Sequence, residues 1–250
     1  MSEVTIEPTG NQVYVVSLHR PPNNFFDTAL LAELADAYEK VATETSCRAI
    51  VLRSEGKHFC AGLDFARNKE QDIAALYRHA LRLFAAPLPV VAAVQGGAIG
   101  GGLGLALSAD FRVATPTSRF SANFARLGFH HGFGLTVTLP RIVGEQRAAD
   151  LLYTGRRLDG AEGHVLGLCD QLVDEAELLA AATAYASVLA GSGPLAVRSI
   201  RATLRQGLVD RLRLAMDHEC AEQESLRGTH DFAEGIAASA ARREPHFQGN

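Results

Sequence analysis

Two segments of this chain place small residues directly behind an apolar run. Ala49-Ile50-Val51-Leu52 leads into Gly56-Lys57-His58-Phe59-Cys60-Ala61-Gly62-Leu63-Asp64-Phe65, and the stretch from Pro87 to Val94 leads into Gln95-Gly96-Gly97-Ala98-Ile99-Gly100-Gly101-Gly102-Leu103-Gly104. A short, wholly apolar run fits a strand buried on both faces, as in a parallel sheet. Small residues behind it let the main chain turn sharply and approach a ligand closely. In the first segment the N–H of Leu63 can point into a pocket, although an ordinary strand-to-helix turn capped by Asp64 accounts for the same residues. In the second, glycines open an apolar helix through Leu103, Leu105 and Leu107, whose first N–H groups have no partner inside the helix and favour an anion or oxyanion. A flexible linker would sit in polar sequence, whereas this run lies between Val90-Val91 and Leu105.

The remaining pattern repeats strand and helix. Val13 to Leu18 predicts a strand, broken by Arg20-Pro21-Pro22-Asn23-Asn24. Asp27 can cap a helix carrying Leu30, Leu34, Ala37, Tyr38 and Val41 on one face, and Ile73, Leu76, Tyr77, Ala80, Leu81 and Phe84 predict a second. Phe111 to Ala114 predicts another strand, helical spacing dominates from about Leu135 onward, and the final third is expected to be all helix. With 250 residues, 47% of them hydrophobic, one main core is expected.

Several function classes fall away. A net charge of −4 with dispersed charges offers no field for nucleic acid. The N-terminus carries Glu3 and Glu7 without an apolar stretch, and no later run is long enough for a membrane span, so a cytoplasmic location without membrane attachment is expected. Cys47, Cys60, Cys169 and Cys220 are scattered, which predicts reduced thiols, mostly in the core. Dinucleotide and phosphate-loop fingerprints fail, since the third glycine positions read Leu105 or Leu107 and no Gly-Lys-Ser/Thr occurs. His130-His131, between Gly128-Phe129 and Gly132-Phe133-Gly134, offers imidazoles for general acid or base work, with no third ligand at fixed spacing for a metal.

In this order the segments resemble the crotonase superfamily, the enoyl-CoA hydratase/isomerase family. The likeness runs through Arg20-Pro21 with Asn24, Phe59 to Asp64, Gly100-Gly101-Gly102 with Ala109-Asp110, Arg141 to Gly144, Tyr153 to Arg156, Ala161 to Leu168 and the C-terminal Pro245-His246-Phe247. The resemblance implies an α/β fold: a crotonase-like spiral of β-β-α units over residues 1–190, then a C-terminal helical region, 191–250, that forms homotrimers or dimers of trimers. It implies an acyl-CoA substrate, with coenzyme A arriving as part of the thioester and no cofactor permanently bound. The backbone N–H groups matching Leu63 and Gly101 would hold the thioester oxygen as it becomes an enolate or tetrahedral oxyanion. Asn24, Phe26, Ala61, Leu63, Asp64, Phe65, Ala66, Gly100, Gly101 and Phe124 would form the substrate surface, and Arg242 or Arg243 could meet CoA phosphates.

The chain departs from the family where proton transfer is concerned. The two positions matching the hydratase glutamates read Gly104 and Phe124, and the position of an alternative acid reads Gly132. Hydration by a carboxylate pair is therefore not expected. His131, and after it His130, becomes the expected proton carrier for isomerase, lyase or hydrolase chemistry. The competing expectation is an acyl-CoA binding protein without catalysis.

Overall fold

The computed structural model describes residues 2–64 and 72–250. In chain order its first half comprises β1 (Val4–Pro8), β2 (Val13–Leu18), α1 (Thr28–Thr43), β3 (Ala49–Ser54), α2 (Ile73–Ala85), β4 (Val90–Val94), β5 (Gly97–Ile99), α3 (Gly101–Ser108), β6 (Phe111–Ala114) and β7 (Arg119–Ser121). After these come α4 (Leu135–Val143), α5 (Glu145–Thr154), β8 (Arg157–Asp159), α6 (Gly160–Val165), β9 (Gln171–Leu172), α7 (Leu178–Ala190), α8 (Pro194–Leu204), α9 (Leu208–Arg227) and α10 (His230–Ala241).

Strand residues alternate between two apolar compartments, as a period of two requires. Val16 and Leu18 of β2, Ile50 and Leu52 of β3, and Val90, Ala92 and Val94 of β4 join the large core with α1, α2 and α3. Their neighbours Val13, Val15, Ala49, Val51, Val91 and Ala93 pack beneath α7 against Ala182, Ala186 and Ala190. The strands therefore form a sheet in the order β1-β2-β3-β4-β6-β9, parallel from β2 to β9 with β1 antiparallel at the edge. A second sheet, β5-β7-β8, stands beside it and begins where β4 ends.

Asp27 caps α1 as expected, its carboxylate accepting the Leu30 N–H at 2.9 Å. β8 interrupts the helical run by pairing antiparallel with β7, and the expectation of an all-helical final third fails because β9 extends the main sheet. These strands are three and two residues long, too short to show a period. After them α8 is fastened to the core by Asp110, whose carboxylate accepts from Arg201 Nε at 2.9 Å, Arg205 Nη1 at 2.7 Å and the Val90 N–H at 2.9 Å. Cys47, Cys60 and Cys169 are buried free thiols, and Cys220 is half-buried.

Candidate active site

The two glycine-rich turns are stitched together by their backbones. Phe59 N–H donates to Gln95 O at 2.9 Å, Cys60 N–H to Gly97 O at 3.0 Å, and Ile99 N–H returns to Cys60 O at 3.0 Å. The Gly97 N–H donates to His58 Nδ1 at 2.9 Å. This approach leaves no room for side chains. A Cβ on Gly62, at φ +84, would stand 2.9 Å from Ile99 O and 3.4 Å from the Gly101 nitrogen, and one on Gly102 would collide with the Cys60 carbonyl. Leu63 follows Gly62 directly, so its backbone runs close to the start of α3. Among the described residues neither the Leu63 nor the Gly101 N–H has a protein acceptor, as the opening turn of a helix requires for Gly101.

Leu63 and Gly101 both border one cavity of about 400 Å³. Of the expected surface, Phe26, Ala61, Leu63, Asp64, Gly100, Gly101 and Phe124 are on its wall. Phe65 and Ala66 lie outside the described residues. Asn24 is not on the wall: it is fully buried, with its Nδ2 donating to Glu55 O and His58 O at 2.6 Å each and its Oδ1 accepting the Arg20 N–H at 3.0 Å. It fixes the shape of the loop beneath Phe26 and has no spare donor for CoA.

The histidines are off the wall as well. His131 Nε2 hydrogen-bonds Thr136 Oγ at 2.8 Å, and His130 Nδ1 bonds the His131 carbonyl at 2.7 Å, the two rings stacking at 4.2 Å. The reason lies in α9. Glu219, completely buried, accepts the N–H groups of Gly134 and Thr136 at 2.8 and 3.0 Å and the Thr136 hydroxyl at 2.6 Å. That grip places Gly132 and Phe133 on the cavity wall and leaves His130 and His131 off it. Burial, then the neighbouring His130 and His218, push His131 down to about 4, so it is neutral near pH 7, and burial raises the Glu219 carboxyl.

The positions lacking glutamates have been given to packing. A Cβ at Gly104 would meet Phe133 Cβ at 2.6 Å, and the Phe124 ring itself forms wall. At Gly132 a Cβ would collide with the Tyr77 hydroxyl and the Gln223 amide, which fill that space instead. Asp64 is the one carboxylate on the cavity wall among the described residues. The described helix that follows is capped by Asp72, which accepts the Ala75 N–H at 2.8 Å. Among the described residues no cluster of three or more His, Cys, Asp or Glu could hold a metal.

Tyr77, Asn123, Arg157, Gln223 and part of α10 also border the cavity and were not foreseen as site residues. Gln223 carried a signal: with Leu208, Leu212, Met216 and Glu219 it lies on the buried stripe of α9, where a polar residue needs a partner. Arg243, a candidate for CoA phosphates, is paired with Glu234, Nη2 donating to Oε2 at 2.7 Å.

The enoyl-CoA hydratase/isomerase family model matches residues 8–250. An enoyl-CoA isomerase/hydratase of Zymoseptoria tritici is 35% identical across 97% of this chain and 85% of its own length. A 1,2-epoxyphenylacetyl-CoA isomerase of Escherichia coli is 30% identical across the whole of both chains. The crystal structure of an enoyl-CoA hydratase/isomerase from Pseudoalteromonas atlantica superposes with a TM-score of 0.90 over 99% of this chain and 100% of that one, at 28% identity. The chain has the crotonase fold and belongs to the enoyl-CoA hydratase/isomerase family of acyl-CoA enzymes.

Proposed function

We propose that this chain isomerises an acyl-CoA thioester through an enolate, with the Leu63 and Gly101 N–H groups holding the carbonyl oxygen and Asp64 carrying the proton. The observation that supports this most is that Leu63 and Gly101 border one cavity and each keeps a backbone N–H without a protein acceptor among the described residues. A preorganised donor of this kind contributes about 3 to 4 kcal/mol when charge develops on the oxygen. The α-carbon of a β,γ-unsaturated thioester loses a proton to the Asp64 carboxylate, giving a dienolate with its negative charge on the oxygen. As the charge flows back the proton is delivered to the γ-carbon and the double bond ends between the α- and β-carbons. Gly104 and Phe124 leave syn hydration without its carboxylate pair, and neutral His131 is spent on Thr136. The test is turnover of a panel of enoyl- and aryl-CoA thioesters, resolved by chromatography because an isomer keeps its mass. Products heavier by one water would refute isomerisation in favour of hydration.

The packing of Phe133 into the space at Gly104 favours a second reading, a non-catalytic acyl-CoA binding protein. Thioesters that raise the melting temperature by mass action, with neither turnover nor proton exchange, would establish it. A homotrimer or dimer of trimers is part of the proposal, supported by Leu195, Ile200 and Leu204 standing exposed on α8. Sedimentation equilibrium giving a monomer would remove that part.

A further inference from the structure

One stretch of the cavity wall is polar although its neighbours, Leu76, Phe129 and Phe133, are apolar. Tyr77 on α2 and Gln223 on α9 meet there, 7% and 3% exposed. Tyr77 donates its hydroxyl proton to Gln223 Oε1 at 3.0 Å, and Gln223 Nε2 donates to the His130 carbonyl at 3.0 Å. These bonds fix which way the amide faces. By valence, the Tyr77 oxygen keeps a lone pair and the Gln223 amide one N–H for which no protein partner stands among the described residues.

Buried polar capacity in an apolar cavity is costly unless something fills it. The space for this pair exists because residue 132 is glycine, since any Cβ there would collide with both groups. Burial keeps the phenol protonated, and loss of hydration disfavours a carboxylate on an acyl group brought against this buried pair. A neutral hydroxyl fits both open valences: it donates to Tyr77 and accepts from Gln223.

We infer that Tyr77 and Gln223 are specificity-determining residues that select acyl-CoA thioesters bearing a neutral hydroxyl on the part of the acyl group that enters the cavity. The inference rests on reading the cavity as the acyl-CoA site.

The test is calorimetric affinity for matched thioesters: hydroxyl-terminated butanoyl-, hexanoyl- and octanoyl-CoA and para-hydroxyphenylacetyl-CoA, each beside its unsubstituted parent. With the wild-type chain, the hydroxylated member of at least one pair is expected to bind about tenfold tighter, the scale of a well-placed hydrogen bond. Tyr77→Phe and Gln223→Leu should each bring that ratio to about one while still binding the parent thioester, which shows that they fold. A pair that only ties α2 to α9 would cost the variants stability but give a wild-type ratio of one. Equal wild-type affinities in every pair, or a ratio that survives both substitutions, would overturn the inference while leaving the acyl-CoA site intact. Failure of every thioester to bind would remove the site reading and the inference together.

Discussion

Gly102→Ala tests how closely the two turns must fit. The added methyl would collide with the Cys60 oxygen and sit 2.7 Å from the Cys60 carbonyl carbon, where ordinary contact begins near 3.4 Å. The obstacle is backbone, held by the Ile99 N–H at 3.0 Å, so no side chain can swing aside. The Cys60 turn, with Leu63 three residues on, must move away from the start of α3 by about an ångström or more. Overpacking of this kind costs about 1–3 kcal/mol of stability. Displacing one of two oxyanion donors by that distance should lower kcat/KM by about a hundredfold, with kcat carrying most of the loss. The assay is steady-state turnover of the best thioester alongside thermal unfolding. Gly228→Ala, at φ −86 with open space around it, serves as the control. A folded Gly102→Ala protein turning over within about twofold of wild type would refute the reasoning, because a displacement worth a hundredfold would have gone unfelt.

Three further outcomes follow from the same geometry. Asp64→Asn should slow exchange of the acyl α-protons with deuterated solvent by about two to four orders of magnitude while leaving thioester binding in place, as mass spectrometry would read. Asp110→Ala would strand the Arg201 and Arg205 guanidiniums, 11% and 13% exposed, and should cost about 3–5 kcal/mol in urea unfolding. His131 takes up a proton near 6.5 when unfolded and near 4 when folded, so the unfolded chain binds more protons between those values and acidification across that window destabilises the fold by at most about 3 kcal/mol. Comparing urea midpoints at pH 7 and pH 5 for wild type and His131→Asn isolates this effect, since the raised Glu219 carboxyl acts in the opposite sense and is present in both.

What the sequence revealed and what it hid divide along physical lines. Val13 to Leu18, Ala49 to Leu52 and the stretch from Pro87 to Val94, within which the strand begins at Val90, were legible because a strand buried on both faces is apolar at nearly every position. The glycines of both turns were legible because close backbone approach admits nothing larger. Where His130 and His131 point was not, since that depends on Glu219, more than eighty residues downstream, capturing the next turn of the loop. Tyr77 sat at an ordinary core-facing helical position, and only Gln223 meeting it across the cavity distinguishes it from packing. The role of Asn24 was hidden for a related reason: its partners are the carbonyls of Glu55 and His58, contacts that no local pattern announces.

The central claim, that the Leu63 and Gly101 amides converge on one carbonyl oxygen, is tested most directly by the carbonyl itself. An isotope-edited infrared difference spectrum of an acyl-CoA labelled at its thioester carbon reports how strongly that C=O bond is polarised. A clear shift of the stretch to lower frequency is expected on binding, and a smaller one with Gly102→Ala. A bound thioester whose carbonyl absorbs at its free-solution frequency would contradict it.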